Sequence, residues 1–139
     1  DAPEKEEKAL SNYGFNLGIA FQMIDDLLDY TSNAGVLGKE AGADLKEGKL
    51  TLPLIYALKQ ADSKDQAVMD RIIKNKDFSV SEFEILLELL NKYKGIKYTE
   101  ELAAKHIAKA KEALVGTFKP SEPRETLIDI ADYALARKY

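Results

Sequence analysis

The 139-residue sequence has the length of one compact domain, is 45% hydrophobic and 32% charged, and carries a net charge of −4. This composition is typical of a globular protein and excludes a disordered or fibrous one. The acidic balance disfavours nucleic acid as a partner, because proteins that bind nucleic acids usually present a basic face. Cysteine is absent, which excludes disulfides and thiolate metal sites. No signal peptide and no transmembrane segment are apparent, so the expected location is cytoplasmic.

Helix signals follow one another along the chain, and strand signals are nearly absent. The first predicted helix runs from about Pro3 to Thr31, with glutamates in its first turn that complement the helix dipole. Five further helices are predicted over about 51–61, 63–75, 79–95, 99–116 and from 121 onward. Gly95 is interpreted as the end of the fourth helix and Thr99 as the cap of the fifth. The predicted class is therefore all-α, with residues 1–139 as a single helical domain.

Apolar side chains surround the first predicted helix over about 17–28 instead of forming one stripe. A helix that is apolar on all sides belongs in the middle of a larger bundle. The five shorter helices that follow are too few to enclose it. We therefore expect the 139 residues to be a fragment of a larger all-α domain.

Three carboxylates, Asp25, Asp26 and Asp29, lie within little more than one turn of this helix. At about 100° per residue they share one face with Gln22. Each like-charge pair costs roughly 0.2–0.5 kcal/mol even on an exposed helix, and the negative end of the helix dipole adds to this cost. A divalent cation would relieve the repulsion, and Mg²⁺ typically binds one or two carboxylates together with substrate phosphates. A solvated acidic surface is the alternative, and the spacing does not exclude the paired carboxylates of a glycosidase.

A loop rich in glycine and lysine follows the acidic turn, with Lys39 and Lys49 supplying positive charge. Its glycines allow tight turns and a close approach of the backbone to an anion; they are Gly35, Gly38, Gly42 and Gly48. The loop is not a P-loop, because Leu50 follows the second lysine and a helix precedes the loop. The pattern suits a ligand that carries both metal and phosphate, and a flexible connection between helices is the alternative.

Together the two segments resemble a known family. The run GIAFQMIDDLLDY from Gly18 to Tyr30 is similar to the second aspartate-rich motif of the trans-isoprenyl diphosphate synthases. The segment from Gly38 to Pro53, which contains Asp44, looks like the loop that follows this motif in the family. Both motifs match in order and separation. The sequence therefore resembles the C-terminal half of a polyprenyl diphosphate synthase.

The resemblance implies the isoprenoid synthase fold, an all-α bundle around a central cavity, and a transferase of isoprenoid biosynthesis. The implied reaction is a prenyl transfer, in which an allylic diphosphate ionises and isopentenyl diphosphate attacks the carbocation. The implied cofactor is Mg²⁺, bound between two aspartate-rich motifs. A homodimer of the full-length protein is also implied.

The resemblance also assigns roles to residues of this sequence. Asp25, Asp26 and Asp29 are the implied metal ligands, directly or through water, and the first two are also counted as catalytic. Lys39 is implied as a catalytic and substrate-binding residue that contacts the allylic diphosphate, with Lys49 close by. The substrate-binding set is completed by Gln22, near the diphosphate or the cation, and by Phe21, which lines the cavity. Arg137 and Lys138 match the basic tails of some members.

The sequence departs from the family pattern because it contains only one aspartate-rich motif. We therefore expect these 139 residues to be inactive alone. The alternative function is a non-catalytic subunit or binding module that pairs with a chain carrying the other half. A terpene cyclase is a third hypothesis, although the loop from Gly38 to Pro53 fits a chain-elongating synthase better.

Overall fold

The computed structural model describes residues 2–31 and 42–137 of the chain. These residues form seven helices and no strand, which confirms the all-α prediction for the described part. The helices are α1 (Glu4–Thr31), α2 (Ala43–Lys46), α3 (Leu52–Gln60), α4 (Ser63–Lys74), α5 (Val80–Lys92), α6 (Gly95–Val115) and α7 (Glu122–Ala136). The short α2 is an addition to the six predicted helices.

The described helices do not include one with both the length and the apolarity needed to cross a membrane.

Gly95 and Thr99 have roles that differ from those predicted. Gly95 begins α6, and Thr99 lies inside that helix, where its buried hydroxyl donates to the Gly95 carbonyl at 2.9 Å. Lys94, between the C-cap of α5 and the first residue of α6, has a φ of 60°. A Cβ at Gly95 would lie 2.2 Å from the Pro53 carbonyl oxygen. The glycine therefore marks close packing between α6 and α3 and not the end of a helix.

The chain divides into two compact units, and the division falls within α1 and within α6. The central unit comprises Asp25–Glu100. The terminal unit comprises the residues up to Ile24 together with those from Glu101 to the end of the described chain. The single domain over 1–139 stays a prediction.

In the central unit, α5 packs against α3 and α4 around an apolar core. Ser79 and Glu82 start α5 with a capping box, since each bonds the backbone N–H of the other. The core also takes in the end of α1, because the Tyr30 ring stacks on Phe83 with 6.3 Å between ring centroids. The buried members of this core are Tyr30, Leu45, Leu54, Ala57, Met69, Ile72, Phe78, Phe83, Leu86, Leu89 and Leu90.

In the terminal unit, two hydrogen bonds connect α1 with α6 and α7. The buried Tyr13 donates its hydroxyl to the Leu127 carbonyl at 2.8 Å. Asn16 Oδ1 lies 2.8 Å from His106 Nδ1. Within the apolar stretch of α1 in this unit, Ala20 is buried and Phe21 is 44% exposed. The enclosure of this stretch by a larger bundle stays a prediction.

Candidate metal and diphosphate site

The three predicted metal ligands lie in the last two turns of α1, within the central unit. Asp25 is exposed, and its side chain makes no hydrogen bond or ion pair with the other residues that the structure describes. Asp26 and Asp29 are half-buried. Asp25 is therefore the carboxylate of this turn that is best placed to bind a ligand from solvent.

Asp29 connects α1 to the segment that bears Lys49. Its backbone carbonyl accepts from the Gly42 N–H at 3.1 Å, and its carboxylate Oδ2 accepts from the Asp44 N–H at 3.2 Å. Burial and then the nearby charge of Asp44 raise the pKa of the Asp29 carboxyl, against the opposing effect of the Asp44 and Ala43 backbone N–H groups and of the Lys49 charge. A positive ligand beside Asp29 would therefore offset an existing electrostatic cost.

Lys49 is held by two acidic side chains of its own segment. Its Nζ lies 2.7 Å from Asp44 Oδ1 and 2.9 Å from Glu47 Oε2. These bonds, to Asp44 first and then to Glu47, raise the pKa of the Lys49 ammonium, so the group is charged at neutral pH. Its side chain is still 57% exposed. It therefore offers a solvent-accessible positive charge in the same unit as the acidic turn.

Tyr30 and Thr51 form a buried hydroxyl pair, with 2.6 Å between their oxygens. The two residues are 3% and 6% exposed, respectively. Burial raises the pKa of the Tyr30 phenol to about 12, so the hydroxyl stays neutral and able to donate. Thr51 occupies the N-cap position of α3, but its side chain makes no capping bond. The start of α3 agrees with the helix start predicted near residue 51, but this hydroxyl partner was not predicted.

The other predicted site residues are distributed as follows. Phe21 and Gln22 lie on α1 within the terminal unit, where the Arg137 guanidinium lies 4.7 Å from the centroid of the Phe21 ring. Phe21 is 44% exposed. Lys39 lies outside the described residues, so its predicted role stays a prediction. Asp44 directly connects Asp29 with Lys49, and no role was predicted for it.

The carboxylates of the acidic turn can be compared with the coordination that Mg²⁺ requires. Among the described residues, no group of three or more histidine, aspartate or glutamate side chains could hold a metal ion. Mg²⁺ usually binds one or two carboxylates and completes its shell with phosphate oxygens and water. Asp25 and Asp29, four residues apart on one helix, fit this partial coordination better than a site built from protein ligands alone.

Comparison with known proteins identifies the family. The profile of the polyprenyl synthetase family matches residues 1–90, so the chain belongs to this family. The octaprenyl diphosphate synthase of Escherichia coli is 41% identical over 134 residues, which cover 96% of this chain and 41% of that protein. The chain therefore spans about two-fifths of the length of this relative.

Solved structures of the same family share the fold. A polyprenyl synthase from Caulobacter crescentus, complexed with calcium and isoprenyl diphosphate, gives a TM-score of 0.88 at 37% identity, over 99% of this chain and 42% of that one. A geranylgeranyl pyrophosphate synthase from Corynebacterium glutamicum, complexed with isoprenyl diphosphate and magnesium, gives a TM-score of 0.88 at 26% identity, over 99% of this chain and 39% of that one. The predicted resemblance to the isoprenyl diphosphate synthases is thereby confirmed.

Proposed function

We propose that this chain forms part of a magnesium-dependent polyprenyl diphosphate synthase. The enzyme would condense an allylic diphosphate with isopentenyl diphosphate to give a longer linear polyprenyl diphosphate. The observation that carries the proposal is the connection between Asp29 and the segment bearing Lys49, beside the exposed Asp25. This arrangement offers carboxylates for a metal and an ammonium for a diphosphate in one compact unit.

The carboxylates and the lysine have complementary roles in this reaction. Asp25 and Asp29 would hold Mg²⁺, with Asp26 as a ligand or a residue that orients water. When bound, the metal neutralises negative charge on the diphosphate that leaves as the allylic C–O bond breaks. Lys49 binds the same diphosphate and stabilises the charge that develops on it. The double bond of isopentenyl diphosphate then forms the new C–C bond, and a proton is lost.

Three roles in the proposal depend on the resemblance alone. Lys39 would bind the allylic diphosphate together with Lys49. Gln22 would lie near the diphosphate or the cation. Phe21 would provide an apolar surface that keeps water from the carbocation.

Product analysis of the native protein tests the reaction. With an allylic diphosphate, isopentenyl diphosphate and Mg²⁺, we expect longer linear polyprenyl diphosphates. Cyclic hydrocarbons would instead indicate a terpene cyclase. If neither substrate is consumed and a second chain carrying another aspartate-rich motif co-purifies, the alternative of a non-catalytic subunit or binding module is supported.

Three further properties are proposed or predicted: the activity of these 139 residues alone, the oligomeric state and the cellular location. Because the resemblance implies two aspartate-rich motifs and these 139 residues contain one, we propose that they do not turn over alone. The homodimer of the full-length protein and its cytoplasmic location are kept as predictions. Sedimentation analysis of the full-length protein tests the first, and cell fractionation tests the second.

A further inference from the structure

The lysine segment, residues 42–51, is attached to the last turn of α1 at both of its ends. At one end, Asp29 accepts from the N–H groups of Gly42 and Asp44. At the other end, the hydroxyl of Tyr30 bonds that of Thr51 at 2.6 Å. Lys49 precedes Thr51 by two residues, so it lies between the two attachments.

The attachment at Thr51 is not explained by the needs of helix α3 alone. Threonine at an N-cap normally accepts a bond from a backbone N–H of the first turn, which stabilises the helix. Thr51 has the extended backbone of an N-cap, with φ −84° and ψ 163°, yet its side chain makes no such bond. The hydroxyl is instead bonded to Tyr30, and this contact joins α3 to the turn that carries Asp29.

The Tyr30 ring is held independently of its hydroxyl. It stacks on Phe83, and a Cβ at Gly42 would lie 2.7 Å from Phe83 Cε2, so Phe83 packs against the Tyr30 ring and against the Gly42 end of the segment. Removal of the hydroxyl alone should therefore leave the ring in place. The bond to Thr51 can then be tested without disturbing the core.

We propose that Tyr30 is a positioning residue, which fixes Lys49 beside the acidic turn through its bond to Thr51. A lysine on a segment restrained at both ends loses less conformational freedom when it binds an anion, so its affinity for that anion is higher. The inference rests on the proposed function, because it concerns Lys49 as a ligand of the diphosphate. Nothing in the role of Tyr30 requires it to touch the substrate.

The reactivity of the Lys49 amine provides a test that does not depend on diphosphate binding. Each lysine of the folded chain is labelled with limiting acetic anhydride and quantified by peptide mass spectrometry. Tyr30→Phe and Thr51→Val should each speed labelling of Lys49 about fivefold, as expected when the segment that carries Lys49 loses one of the hydrogen bonds that attach it to α1. The exposed Lys59 at the end of α3 serves as the internal reference.

Tyr13→Phe is the matched control, because it also removes a tyrosine hydroxyl bond, to the Leu127 carbonyl, but in the terminal unit. It should leave the labelling of Lys49 unchanged. If Tyr30→Phe does not fold, Thr51→Val alone decides. Unchanged Lys49 labelling in the folded variants overturns the inference.

Calorimetric titration with inorganic diphosphate and Mg²⁺ tests the link to the ligand. Tyr30→Phe should weaken binding about fivefold, and it should add no further loss to Lys49→Ala. An equal loss in the Lys49→Ala background would show that Tyr30 does not act through Lys49, and would overturn the inference. If the unmodified chain shows no magnesium-dependent binding, the proposed function fails, and the labelling result still decides whether Tyr30 positions Lys49.

Discussion

The Asp29 carboxylate accepts a hydrogen bond from the Asp44 N–H at 3.2 Å, and Asp44 in turn holds the Lys49 ammonium at 2.7 Å. One residue of the acidic turn is thus connected to the positive group that follows it in the chain. The connection leaves Asp25 exposed on the same helix. Asp29 therefore joins the acidic turn to the segment that bears Lys49.

The stability of the chain should depend on pH through Asp29. The pKa of this carboxyl is raised in the folded protein, chiefly by burial, so the folded state binds its proton more readily than the unfolded state. Ionised Asp29 therefore destabilises the fold, and its contribution becomes less favourable as pH rises from the ordinary carboxyl pKa through the raised value. Asp29→Asn removes this ionisation. Urea unfolding at a series of pH values should show the variant gaining stability relative to the unmodified chain across that window.

Asp62 is the control for this prediction, because its pKa is lowered, first by a backbone hydrogen bond from Asp65. Its stabilising contribution is present above the ordinary carboxyl pKa and is lost as pH falls through the lowered value. Asp62→Asn should therefore show the opposite trend. If the relative stability of Asp29→Asn does not change with pH, the assigned environment of Asp29 is wrong.

Substitution of Gly95 should destabilise the central unit strongly. A Cβ there would lie 2.2 Å from the Pro53 carbonyl oxygen and 3.2 Å from the Ala57 Cβ, so the backbone of α3 or α6 must move. We expect Gly95→Ala to lower the free energy of unfolding by about 3 kcal/mol or more, measured by urea denaturation.

Gly14 in α1 supplies the comparison for Gly95, since no atom lies within 4 Å of a Cβ at this position. Gly14→Ala should raise the free energy of unfolding by about 0.5–1 kcal/mol, because alanine loses less backbone entropy in a helix. Equal effects of the two substitutions would contradict the close packing of α6 on α3.

Substitutions at two glycines of the lysine segment distinguish the cost of backbone strain from the cost of close packing. Gly42 and Gly48 have φ values of 78° and 83°, which favour glycine at both positions. A Cβ at Gly42 would also lie 2.7 Å from Phe83, whereas nothing lies within 4 Å of one at Gly48. Gly48→Ala should lower the free energy of unfolding by about 1–2 kcal/mol from strain alone. Gly42→Ala should lower the free energy of unfolding by about 1–3 kcal/mol more than Gly48→Ala does. Thermal unfolding that shows Gly48→Ala to be the less stable variant would refute the packing of Phe83 on this turn.

Local patterns predicted much of this fold, and tertiary contacts explain the rest. The capping box of Ser79 and Glu82 is a local signal, and it caps the start of α5 at residue 79, where the fourth helix was predicted to begin. Gly95 was misinterpreted because a glycine that ends a helix and a glycine that admits a close neighbour look alike in a sequence. The identity of its neighbour, Pro53, depends on the packing of α6 against α3.

The same distinction applies to the candidate site. The carboxylates at 25, 26 and 29 share a helix face by spacing alone, so the sequence indicated their grouping. The bonds from Asp29 to Asp44 and from Tyr30 to Thr51 join residues 15 and 21 positions apart, across a connection whose path the sequence does not specify. Their partners could be found only from the structure.

Magnesium-dependent binding of an allylic diphosphate analogue is the decisive measurement for the acidic turn. Calorimetric titration would compare the native protein with Asp25→Asn and with Asp129→Asn, which makes the same change at an exposed position on α7. We expect Asp25→Asn to abolish the magnesium-dependent part of the affinity and Asp129→Asn to leave it intact. Unchanged affinity in Asp25→Asn would contradict the assignment of the acidic turn as the metal and diphosphate site.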